Sequence, residues 1–240
     1  TGQALQYDHY GCTTDESIPG VASGHLDVRA DVALLTREII ITANELDGGT
    51  AAIDGWGASI YTSEVFFPDV VTNTFVAERG SLKLDNVQCE FCGQSDTYQA
   101  AIHVENFGTD TTNPAGYVKN SAFFGSNGVA ATFSKASDFV LDNNVFFQFT
   151  RYGLYFNADN TNLQITNNLI IGVGARNTTT GANHFTDLAA CVYSEYNLLG
   201  NSSFTNNIAA GCYFHGYIFL GAVCGTSWVY KNNVARISDY

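Results

Sequence analysis

Apolar and polar residues alternate on both sides of an asparagine pair in Phe139-Val-Leu-Asp-Asn-Asn-Val-Phe-Phe147, and again in Leu163-Gln-Ile-Thr-Asn-Asn-Leu-Ile-Ile171. Weaker copies are Val118-Lys-Asn-Ser-Ala-Phe-Phe124, Phe204-Thr-Asn-Asn-Ile208, Tyr230-Lys-Asn-Asn-Val234 and Leu84-Asp-Asn-Val87. Asn120, Asn143 and Asn167 follow one another at steps of 23 and 24 residues. Short strands and turn residues recurring at a period in the twenties are the mark of a solenoid. Superposing the asparagines puts Val118, Leu141, Ile165, Phe204 and Tyr230 in one column and Ala122, Val145, Leu169, Ile208 and Val234 in another. The neighbours Lys119, Asp142, Thr166, Thr205 and Lys231 are polar, as expected of strands with one buried face.

Between these phrases lie further strand-like pieces: Ala101–Glu105, Val129–Phe133, Leu154–Phe156, Cys191–Tyr193 and Tyr217–Phe219. Each repeat therefore holds at least two strands and as many as three. If successive repeats lie about 4.8 Å apart as parallel strands, each asparagine sits over its counterpart in the next repeat. Asparagine tolerates the left-handed conformation and bonds its local backbone, so a stack of Asn120, Asn143, Asn144, Asn167, Asn168, Asn206, Asn207, Asn232 and Asn233 can turn every repeat at one corner. Its amides can also bond along the stack. Separate hairpins in an antiparallel sandwich are the alternative, but hairpins require neither equal steps nor shared columns. The expected fold is all-β, a right-handed parallel β-helix over 61–240, with the hand set by the crossover rule. A short glycine-rich β segment over 1–60 precedes it.

Elsewhere the pattern is less regular. Residues 1–24 read as turn-rich. Leu26–Thr42 reads as two strands joined near Ala33–Thr36, with a helix over Arg29–Glu38 as the competing assignment. Trp56–Tyr61 reads as the next strand. Residues 62–80 read as irregular, because Pro68 argues against a central strand. The longer steps from Asn86 to Asn120 and from Asn167 to Asn206 place extra loops near 108–116 and 175–188, either tolerated insertions or ligand loops.

Composition narrows the function. A formal net charge of −13 argues against contact with nucleic acid or an anionic membrane. No apolar run approaches the ~18 residues of a membrane span, so no direct insertion by this segment is expected. Six cysteines allow 15 pairings, and spacing does not choose among them. Cys89-x-x-Cys92 lacks a second close pair to complete a zinc site, so no metal or other cofactor is expected. Asn177-Thr-Thr179 and Asn201-Ser-Ser203 are acceptors for N-glycans. Acidity, an even cysteine count and the sequons together point to an extracellular protein.

Val32-Ala-Leu-Leu-Thr-Arg-Glu-Ile-Ile-Ile41, Trp56-Gly-Ala-Ser-Ile60, Val87-Gln-Cys-Glu-Phe-Cys-Gly-Gln94 and Ala101-Ile-His-Val104 occur in an order that resembles fibrocystin-like proteins and the related cell-surface hyaluronidases. The resemblance covers roughly 25–235. It implies that 1–60 is the end of an eight-glycine-type domain and 61–240 β-helix repeats, in a large ectodomain that is often membrane-anchored. It also implies a place to look for chemistry. The family's first strand reads Ile-His-Phe-His, its next repeat ends in His, and its third carries a Glu-Asp pair. Here those positions hold His103 and Glu105, then Ser134, then Asn157 and Ala158, so a family-like site looks dismantled.

A polysaccharide-cleaving enzyme needs an acid and a base, or a base with a cationic stabiliser, on neighbouring repeats. His103 and Glu105, two apart on one strand, with Arg151, Asn157 and Asp159 one or two repeats away, form the candidate polar site. Two readings follow. One is a non-enzymatic cell-surface or ciliary ectodomain that binds protein partners in a surface or filamentous assembly. The other is a glycan-active enzyme or glycan-binding module, with glycans as the partner class.

Overall fold

The computed structural model describes residues 13–14, 26–27, 36–42, 57–69, 71–94, 99–106, 116–125, 128–174, 189–220 and 228–236. Among them there is no helix, and the chain is all-β. Two compact units divide it, Thr1–Leu34 and Leu35–Tyr240. In the first, Thr13–Thr14 pairs antiparallel with Leu26–Asp27.

The second unit contains three large sheets of parallel strands. The first stacks Ile39–Thr42, Val87–Glu90, Ala122–Phe124, Val145–Phe149, Leu169–Val173, Ile208–Ala210 and Val234–Arg236. The second stacks Ile60–Asp69, Ile102–Glu105, Ala131–Ser134, Tyr152–Phe156, Ala190–Ser194 and His215–Phe219. The third stacks Leu82–Asp85, Gly116–Lys119, Phe139–Asp142, Gln164–Thr166, Ser203–Thr205 and Val229–Lys231. The chain visits the first, second and third sheet in turn, then returns to the first beside the strand it left. This succession already includes Ile39–Thr42, which pairs with Val87–Glu90 upstream of residue 61.

The third sheet stacks Val118 on Leu141, Leu141 on Ile165, Ile165 on Phe204 and Phe204 on Tyr230. Val118, Leu141, Ile165 and Phe204 are fully buried. The first sheet differs from the alternation read from sequence. Ala122, Val145, Leu169, Ile208 and Val234 do align, but the core column is their neighbours Phe123, Phe146, Ile170 and Ala209, all at 0% exposure. The reason is the corner between the sheets. Asn86, Asn120, Asn143, Asn167, Asn206 and Asn232 are all left-handed, with φ between 49° and 59°, and one left-handed residue shifts the in/out phase by one position.

That phase shift aims the second asparagine of each pair inward, where Asn144, Asn168 and Asn207 are almost wholly buried. Asn144 donates through Nδ2 to Oδ1 of Asn168, Asn168 to Asn207, and Asn207 to Asn233, each at 3.0 Å. Each acceptor oxygen also takes the backbone N–H of the residue before it in the ladder. The same amides reach back to the carbonyls of Val118, Leu141, Ile165 and Phe204. Ser121 occupies the ladder's N-terminal position, its hydroxyl accepting from the Val87 N–H. The outer rank is exposed and bonds less uniformly: Asn143 donates to Asn120 at 2.8 Å, Asn167 to Asp142 at 2.8 Å and Asn206 to Asn167 at 3.3 Å.

Residues 62–80 are not irregular. Ile60–Asp69 is one strand and forms an antiparallel hairpin with Thr74–Arg79. Only Ile60–Ser63 joins the parallel stack. Pro68 lies in the part whose sole strand partner among the described residues is Thr74–Arg79, which is how a residue without an N–H is accommodated. Of the loop expected near 108–116, Gly116 opens a strand and the rest lies outside the described residues, as do 175–188 and Trp56.

Cys89 is bonded to Cys92 and Cys191 to Cys212. The Cys-x-x-Cys pair is therefore a disulfide, and its sulfurs are committed to each other. Cys12 and Cys224 lie outside the described residues.

Candidate functional site

The second sheet carries the polar residues singled out in the sequence. Its strand register sets Tyr61 beside His103, His103 beside Thr132, Thr132 beside Tyr155 and Tyr155 beside Tyr193. Ile102, Val104, Phe133, Leu154 and Phe156 alternate with these positions and belong to the core, so this column points outward.

At one end of the column His103 Nε2 lies 3.6 Å from Glu105 Oε2. The Tyr61 hydroxyl donates to the same carboxylate oxygen at 2.8 Å, and its ring stands edge-on to the imidazole at 5.1 Å. Partial burial of the phenol, followed by its bond to Glu105, holds Tyr61 above its ordinary pKa. Thr132, next in line, is 1% exposed, and its Oγ1 has no hydrogen-bond partner among the described residues.

Farther along, Tyr152 stacks on Tyr193 at 4.7 Å and on Tyr155 at 5.0 Å. The Arg151 guanidinium sits 5.3 Å from the centre of the Tyr152 ring, within cation–π range. Burial, reinforced by the charge of Glu195 and a hydrogen bond to it, pushes the Tyr155 phenol far up. Burial raises Tyr152 as well, opposed by Arg151, and raises Tyr193 with help from Glu195.

The structure thus brings together only two of the five candidates. His103 and Glu105 touch. Arg151 precedes the strand Tyr152–Phe156 and Asn157 follows it, so a whole strand separates them. Asn157 continues the line of Glu105 and Ser134, two strands along from Glu105. Asp159 lies past the strand end, where its carboxylate accepts the Asn197 N–H at 3.1 Å. Tyr61, Thr132, Tyr152, Tyr155, Tyr193 and Glu195 were missed. Extending the column alignment from the asparagine phrases to the second strand of each repeat reveals them.

Of the two sequons, Asn177 lies outside the described residues. Asn201 is exposed in a turn, where its backbone N–H donates to Asn162 and its carbonyl accepts from Gln164. No family model, curated protein or solved structure matches this chain.

Proposed function

We propose that this chain is a non-enzymatic stretch of extracellular or cell-surface ectodomain, wound as a right-handed parallel β-helix. It serves as a structural and interaction module in a larger membrane-anchored or ciliary assembly. The observation that carries the reading is where the charged candidates are placed. The Asp159 carboxylate holds the Asn197 backbone and the Arg151 guanidinium covers Tyr152. Arg151 and Asp159 lie beyond opposite ends of the strand Tyr152–Phe156, so the acid, base and cationic stabiliser of a sugar-cleaving site do not converge on His103 and Glu105. The β-helix reading rests on the repeated order of the three parallel sheets and on the buried asparagine ladder. Kinship to fibrocystin-like ectodomains is part of the proposal and rests on the sequence phrases quoted above. Two disulfides suit an oxidising compartment.

The test is to express the chain through a secretory route, remove N-glycans enzymatically and assay it on hyaluronan and neutral polysaccharides. The expected result is a loss of mass assigned to Asn201 and Asn177, with no release of reducing ends. Polysaccharide cleavage that disappears in His103→Ala overturns the proposal in favour of a glycan-active enzyme. His103 touching Glu105 is the observation behind that second reading.

A further inference from the structure

The hairpin of Ile60–Asp69 and Thr74–Arg79 departs from the parallel stacking around it. Among the described residues, Glu64–Asp69 pairs only with Thr74–Arg79, and Thr74–Arg79 is the outermost strand of its sheet. Its outer row of backbone N–H and C=O groups has no strand partner among the described residues. Such an edge is a template for another strand. Val65, Phe66, Phe67, Phe75 and Val76 are each 43–74% exposed, although a small ribbon gains nothing from presenting them to water.

The register sorts these side chains by face. Phe66 and Ala77 are opposite one another, as are Pro68 and Phe75, so one face is apolar over most of its length. The other face carries Thr74, Val76 and Glu78 opposite Asp69, Phe67 and Val65, a mixture of apolar and acidic groups. Asp69 closes the turn by accepting from the Val71 N–H and the Thr72 hydroxyl, while Glu78 is exposed on the edge strand itself.

We propose that this edge receives an extended segment of a partner protein by strand addition, and that the segment alternates apolar residues with lysine or arginine. Backbone pairing supplies the attachment. The segment's apolar side chains extend the Phe66–Phe75 face, and its basic side chains lie alongside Glu78 on the other. A bilayer is a poor occupant, because hydrocarbon would leave the edge's backbone groups unsatisfied. A second copy is a poor occupant as well, because each copy brings a formal charge of −13. The proposal rests on reading the chain as an interaction module and names the partner chemistry of that module.

The experiment follows hydrogen exchange at the amides of Thr74–Arg79 in the whole chain. The probes are a twelve-residue peptide alternating valine and lysine, its valine–glutamate counterpart, and phosphatidylcholine vesicles. The basic peptide is expected to slow exchange at the edge about tenfold or more, an effect reduced at least about tenfold in affinity by Glu78→Lys. Phe75→Ser is expected to weaken binding independently. Both variants change exposed side chains, and an unchanged melting temperature verifies that they fold. No protection by the basic peptide, equal protection by the acidic one, protection by vesicles alone, or a concentration-dependent dimer that protects the edge without peptide each overturns the proposal. A chain inert toward polysaccharides that takes no peptide sinks only the hairpin proposal. One that cleaves polysaccharide and takes the peptide sinks only the non-enzymatic reading.

Discussion

The Nδ2 of Asn168 lies 3.0 Å from the Oδ1 of Asn207, although the two residues are 39 positions apart in the chain. The same carboxamide donates to the carbonyl of Leu141, so one buried side chain ties together three successive sequence repeats. Asn167, its immediate neighbour, is exposed and does a different job, holding φ at 56°.

This division of labour predicts two unequal costs. Asn168→Ala leaves the Asn144 N–H and the Leu141 carbonyl without their buried partner, and the expected loss is about 3 kcal/mol. Asn167→Ala gives up mainly the left-handed preference, for about 1 kcal/mol, and Asn167→Gly is expected to be close to neutral. Urea unfolding of the three variants measures this; equal losses at both positions would refute the ladder's role.

The asparagine corner was legible in the sequence because each corner needs the same side-chain chemistry, and that chemistry is nearly confined to Asn. Other turning columns were not. Toward the end of the first sheet's strands, Phe91, Gly125, Gln148, Gly172 and Gly211 all take left-handed φ, but Phe and Gln interrupt the glycines, so no single residue type runs through the column. Asp138 and Asn162 turn a further corner, with Asn162 Nδ2 donating to Asp138 at 2.9 Å. That column shows no repeated pair. The hairpin was hidden by Pro68, which is a reliable warning only for strands paired on both sides. At the candidate site, spacing along one strand was enough to join His103 and Glu105. Placing Arg151 and Asp159 required knowing where strand Tyr152–Phe156 begins and ends.

The two disulfides are expected to differ in what they contribute. Cys191 and Cys212 are 21 residues apart, a loop long enough for the bond to stabilise by about 3 kcal/mol. Cys89 and Cys92 are 3 apart and constrain little of the unfolded chain. The pair Cys191→Ala/Cys212→Ala should therefore lower the unfolding midpoint more than Cys89→Ala/Cys92→Ala, as read by thermal melting of each double variant.

Tyr152, Tyr155, Tyr193, Tyr217 and Tyr230 all have phenols raised above their ordinary value, chiefly by burial. Below the unfolded pKa of about 10 both states hold the proton and the stabilisation is complete. Above it the unfolded chain releases protons first, so stability falls as pH rises toward the folded values. Melting temperatures taken between about pH 9 and pH 11 are expected to drop steeply, with a shallower slope in Tyr155→Phe. A flat profile over that interval would contradict the burial of these rings.

Gly153 packs where a Cβ would meet the Ile170 side chain and the Cys191 carbonyl. Gly153→Ala is expected to cost about 1–3 kcal/mol through overpacking. Truncating the stacked core ring in Phe146→Ala is expected to cost about 3–5 kcal/mol. Denaturant titration of the first checks the packing between the first and second sheets, and of the second the ring stack inside the first sheet.

The most direct test of the proposed winding is oxidative cross-linking of paired cysteines on the outward-facing positions of the third sheet, half-buried at Thr166 and Thr205 and exposed at Lys231. Thr166 is in register with Thr205, and Thr205 with Lys231. Thr166→Cys with Thr205→Cys should form a disulfide readily under mild oxidation, while Thr166→Cys with Lys231→Cys, two strands apart, should not. Failure of the first pair to bond, or equal bonding of both, would contradict the stacked parallel register on which the account depends.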